Sequence, residues 1–193
     1  MDSLLGARVG SRVLIAIAPK EGLAKANASA TIKKTDTLLF VVDIHASHVP
    51  LTRATGAAVA PVDGLPTVKL AKSGAPTITM PKASAPTTLV VQPLITGTGP
   101  AVQSGQTITV QYTGAIWDTG KVFDSSWKTG KAFTVPIGTK QVIAGWDNGL
   151  VGQTVGSQVM LVIPPDQGYG ASGTTGIKGT DTLVFVVDIL DAT

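Results

Sequence analysis

The sequence predicts an α+β domain toward its C-terminus, a curved antiparallel β-sheet wrapped over one short α-helix. Three observations carry this. "TITVQYTG" sets Ile108, Val110 and Tyr112 on one face and Thr107, Thr109 and Gln111 on the other, the period of a half-buried strand. "SQVMLVI" and "DTLVFVVDIL" are short apolar runs rich in β-branched residues, which read as two more strands. Before them, "VIAGWDNGLVGQTVGS" is too short and too rich in glycine for a long helix, and one or two turns there suit a sheet that curls over a single helix.

Taken in order along the chain, the first segment looks like the last. "KKTDTLLFVVDIH" (33–45) nearly repeats "KGTDTLVFVVDIL" (178–190), and "LLGARVGSRVLIAIAPKEGLA" (4–24) aligns with "LVGQTVGSQVMLVIPPDQGYG" (150–170). This is an internal repeat. Residues 1–47 therefore read as the C-terminal remnant of a degenerate domain: either the true start lies upstream of Met1, which is the expectation, or the gene lost its front, or the segment has taken on a new role. Leu23 stands where the second copy has Tyr169, so the remnant is expected to be inactive. Residues 48–86 are rich in Ala, Thr, Pro and Lys with little periodicity, the composition of an extended linker. Residues 87–193 read as the complete domain, with turn signals at Gly114 and at Asp118-Thr119-Gly120.

Composition removes several classes of function. Hydrophobic residues make up 44% of the chain and charged ones 14%, which fits a packed domain rather than a disordered chain. Apolar runs such as "LLFVVDI" stop far short of a membrane span. With no cysteine, thiolate catalysis, disulfides and cysteine-ligated zinc are out. His45 and His48 lack partners at metal spacing. The net charge of +3 is scattered, without a basic stripe or interleaved aromatics, and no nucleic-acid partner is expected. The first residues lack the pattern of a signal peptide.

Eight of the nine aromatic residues fall between Tyr112 and Phe185. The motifs run "QYTG", "VFDSS", "KAFTVPIG", "QVIAGWDNGL", "IPPDQGYG" and "TLVFVVDIL". Together, in this order, they make residues 87–193 resemble the FKBP-type peptidyl-prolyl cis-trans isomerases, the macrolide-binding immunophilins. The tandem arrangement resembles exported bacterial members, which implies an exported or cell-surface protein if the N-terminus is truncated and a cytoplasmic one otherwise.

The resemblance implies an apolar pocket for a proline ring. Trp146 would be its floor, with Tyr112, Phe123, Phe133, Val142, Ile143 and Phe185 as walls. Asp124 would be the polar residue in the wall and Tyr169 would stand at the mouth. The Ile143 N–H would donate to a ligand carbonyl, and Ile177 would remain available from the following loop. Asp124, Tyr169, Tyr112 and Trp146 are the expected catalytic residues.

The implied partners are proline-containing unfolded or exported polypeptides and macrolide inhibitors such as rapamycin, with no cofactor and no metal. The alternative is a non-catalytic module or chaperone that holds proline-containing peptides. Two departures from the family bear on these roles. Gln111 replaces the His that often precedes Tyr-Thr-Gly, and the loop "ASGTTGIKGTDT" is one residue short, with Lys178-Gly179 in place of an apolar residue and prolines. Trp117 and Trp127 match no motif and read as surface or rim.

Overall fold

The computed structural model describes residues 4–21, 32–33, 35–45 and 51–193. Leu23 and His48 lie outside the described residues. The chain divides into two compact units, Met1–Val49 and Pro50–Thr193.

In the first unit, β1 (Arg12–Ile17) and β2 (Leu38–Asp43) form an antiparallel hairpin. Arg12 pairs with Asp43 and Ile17 with Leu38. The two ends of the Arg12–Asp43 pair also meet through their side chains, Nε to Oδ1 at 2.6 Å and Nη2 to Oδ2 at 2.8 Å. This guanidinium holds the Asp43 carboxyl below its ordinary pKa. His45 is exposed.

The second unit is built on a seven-stranded antiparallel sheet. Its strands are β3 (Ala57–Ala58), β6 (Val90–Thr96), β7 (Thr107–Ile116), β8 (Val122–Ser125), β9 (Phe133–Pro136), β10 (Gln158–Ile163) and β11 (Leu183–Ala192). Their order is β3-β6-β10-β11-β7-β8, with β9 also paired to β7. The pairing of β10 with β11 runs from Gln158 opposite Asp188 to Ile163 opposite Leu183. It matches, residue for residue, the pairing in the N-terminal hairpin.

One helix, α1 (Ala144–Leu150), crosses the concave face. A Cβ added to Gly145 would stand 2.5 Å from Ile163 Cγ2, and one added to Gly149 would stand 2.6 Å from Leu161 Cδ2. The glycines that weaken the helix on propensity are thus the ones that let it settle onto the sheet. Leu161, Ile163, Leu183, Phe185, Val187 and Leu150 join the core on this face.

The segment 48–86, expected to be an extended linker, is different where it is described. From Leu51 onward it folds onto the sheet, and β4 (Thr67–Leu70) and β5 (Pro76–Thr79) form a hairpin. Leu65, Val68, Ile78, Met80 and Ala85 pack against Trp117, Met160, Val162, Val184 and Val186, the core of the convex face. The physical reason lies in the strands beneath. All six residues of β10 are buried, so both faces of that strand need apolar cover. Trp117, read as surface or rim, is 3% exposed and donates its indole N–H to the Ala83 carbonyl at 3.1 Å. Asp188 fixes the start of the segment. Its buried carboxylate accepts the Ala54 N–H at 2.7 Å and the Gln158 side-chain amide at 2.7 Å.

Candidate active site

The concave face carries a cavity of about 420 Å³ between β7, β8, β9, β11 and α1. Tyr112 reaches it from β7, Phe123 and Asp124 from β8, Phe133 from β9 and Phe185 from β11. Trp146 rises from the first turn of α1, and Val142 and Ile143 lie just before it. Tyr169 comes from the loop after β10. The rings meet mainly edge to face. Trp146 lies 5.4 Å from Tyr112 at 83° and 5.4 Å from Phe185 at 87°, while Phe123 lies 5.5 Å from Phe185 at 83°. Such pairs set positive ring edges against negative faces and hold the walls in fixed orientations.

The wall closes at Gly114, because a Cβ there would come within 2.6 Å of Phe123 Cζ and 2.8 Å of Phe185 Cε1. The glycine of "QYTG" is needed for the approach of two rings.

Polar side chains are a minority of the lining, and two of them are bonded to one another. The Tyr112 hydroxyl donates to Asp124 Oδ2, and Asp124 Oδ1 accepts the Ser125 N–H at 2.8 Å. Burial first, then this hydrogen bond and the carboxylate charge, push the Tyr112 phenol well above its ordinary pKa. Burial, and then the nearby Asp124 charge, also raise Tyr169. Behind the wall, Ser126 Oγ accepts the Tyr112 N–H at 2.8 Å and donates to Gln111 Oε1. Gln111 therefore acts through strand hydrogen bonding.

Of the ten residues expected from sequence, nine line the cavity. Ile177 does not: it is 6% exposed, bonded across a turn to Thr174, and packed in the main core. Two lining residues were missed, Lys140 and Gln141. Lys140 has a left-handed backbone, φ 61°, and its N–H donates to Asp147 Oδ2 at 2.8 Å, while Gly138 N–H donates to Oδ1 at 2.6 Å. Their position directly before "VIAGW" was the available signal. Among the described residues there is no cluster of side chains that could hold a metal ion.

Comparison with known proteins agrees with this geometry. The family model of FKBP-type peptidyl-prolyl cis-trans isomerases matches residues 99–190. An FK506-binding protein of Streptomyces anulatus is 40% identical over 104 residues, which cover 53% of this chain and 84% of that protein. FK506-binding protein 2B of Rhizopus delemar is 48% identical over 89 residues, 46% of this chain and 43% of the relative. The crystal structure of AtFKBP13 is similar with a TM-score of 0.51 at 29% identity, covering 66% of this chain and 99% of that one. The chain belongs to the FKBP-type peptidyl-prolyl cis-trans isomerase family, and its activity is that of a peptidyl-prolyl isomerase.

Proposed function

We propose that the aromatic cavity is where this chain turns X–Pro bonds of unfolded polypeptides, with Trp146 under the proline ring. Rotation about an X–Pro bond costs about 18–20 kcal/mol because it breaks amide resonance, and no covalent bond changes. A nucleophile is therefore unnecessary. The planar amide is strongly dipolar and the twisted one less so, which makes a dry aromatic wall more favourable to the twisted state.

The observation that carries the reading is the enclosure of one small cavity by six aromatic rings, two of them tyrosines. The Ile143 N–H and the Tyr169 hydroxyl make no hydrogen bond with the described residues, which suits them to hold a substrate carbonyl. Asp124, bound to Tyr112, fixes the wall. The same cavity would take a macrolide such as rapamycin, consistent with relatives named for FK506 binding.

Residues 1–47 fit a remnant of a second copy, since the two hairpins share one pairing pattern. The site's own test is the exchange rate of an Ala-Leu-Pro-Phe peptide with and without the protein. Acceleration that rapamycin abolishes is expected. A folded protein that binds rapamycin without acceleration would instead be a proline-binding module.

A further inference from the structure

The segment from Leu51 to Pro86 lies outside the family match at 99–190, yet its Gly74 reaches Trp127 in the turn that follows β8. The contact is at the tip of the β4–β5 hairpin. Gly74 has φ +99°, and a Cβ built on it would stand 3.0 Å from Trp127 Cη2 and 3.1 Å from Arg53 Cβ. The Arg53 guanidinium donates to the Lys72 carbonyl at 3.3 Å, fixing the same tip. The Trp127 Nε1 is buried and has no hydrogen-bond partner among the described residues, so packing alone holds the indole.

Trp127 sits in the 3-10 turn Ser126–Lys128, directly after β8 and three residues from Asp124. Its neighbour Ser126 bonds the Tyr112 backbone N–H and Gln111, while Ser125 Oγ bonds Thr113 Oγ1 at 2.8 Å. A displacement of this turn moves both ends of the Tyr112–Asp124 hydrogen bond. Trp127 itself does not line the cavity.

We propose that residues 51–86 are a positioning element of the isomerase, with Gly74 holding Trp127 so that the 122–128 segment presents Asp124 to Tyr112. The proposal rests on the isomerase reading of the cavity. It makes the segment a working part of the domain as well as the cover for one face of the sheet. Misplacing a wall by a fraction of an ångström acts on the transition state more than on ground-state binding.

The test is a double-mutant cycle in the full chain with Gly74→Ala and Trp127→Ala, alongside Trp127→Phe and Met80→Ala. Met80 packs on the convex face, and its loss reports on the segment's covering role. Each single change at the contact is expected to lower kcat about tenfold with KM changed less than about twofold. Gly74→Ala should add nothing in the Trp127→Ala background, Trp127→Phe should restore most of kcat, and Met80→Ala should lower Tm without lowering kcat.

Additive losses, or losses that follow Tm across all four variants, would overturn the proposal. The amide resonances of Tyr112 and Asp124 read the same coupling without turnover. A wild type that does not accelerate exchange sinks the isomerase reading, whereas amide peaks unmoved by Gly74→Ala sink the positioning role.

Discussion

Both tyrosines of the chain stand in the cavity, and both phenols are pushed up by burial and by the Asp124 carboxylate. Absorbance at 295 nm should therefore show less tyrosinate at a pH of about 10 in the folded protein than in denaturant, where the titration is normal. Because the folded state keeps these protons longer, the stability they lend is whole below pH of about 10 and is lost as pH rises above it. At the same scale, Asp124→Ala should lower kcat/KM about tenfold, roughly 1.4 kcal/mol of transition-state stabilisation, measured by peptide exchange. Most of these residues were legible because each sits inside a motif with its own turn or strand. Lys140 was not, since its place in the cavity depends on a left-handed turn that Asp147 holds from the helix. Ile177 was misplaced because an apolar loop residue reads alike whether it faces the cavity or the core, and here it packs in the main core.

Among the elements, α1 and the turn before it set the depth of the cavity. Asp147 takes two backbone N–H groups of residues 138 and 140, and this places Val142 and Ile143 at the rim. Asp147→Ala leaves both donors without that acceptor, and a stability loss of about 1–3 kcal/mol is expected in urea unfolding, with weaker macrolide binding. Gly149→Val drives a methyl into Leu161, and the same measurement should show about 1–3 kcal/mol of destabilisation from overpacking. The helix was legible as a short glycine-rich interval between strands. The β4–β5 hairpin was hidden, because its strands have four residues each, with only Val68 opposite Ile78 and Leu70 opposite Pro76 as apolar pairs. So short an alternation does not stand out in a Thr- and Pro-rich background.

For the whole molecule, the sheet of the second unit is covered on both faces, by α1 and by the 51–86 segment. Removing residues 1–49 should leave the peptide exchange rate within about twofold of the full chain, since every cavity residue belongs to the second unit. Asp188 ties that unit together at its first turn. Burial raises its carboxyl above the ordinary value despite the Ala54 and Gln158 hydrogen bonds. Its contribution to stability therefore falls as pH rises through the window above that ordinary value, and Asp188→Asn should remove this part of the pH dependence in thermal melts. The fold was readable from strand periods and motif order, whereas the second layer of cover was not, because residues 51–86 carry the composition of a linker.

The chain carries two hairpins of nearly one sequence and one pairing pattern in two different surroundings. In β10 and β11 the residues opposite one another are sealed, whereas Leu14, Leu39 and Val41 of the first hairpin are about two-thirds exposed. Amide hydrogen exchange would thus run as an internal control within one molecule. The amides of β10 should exchange only through global unfolding, and those of β1 through local opening. The difference between the two rates measures how much of a strand's protection comes from the layers laid over it rather than from the letters that spell it.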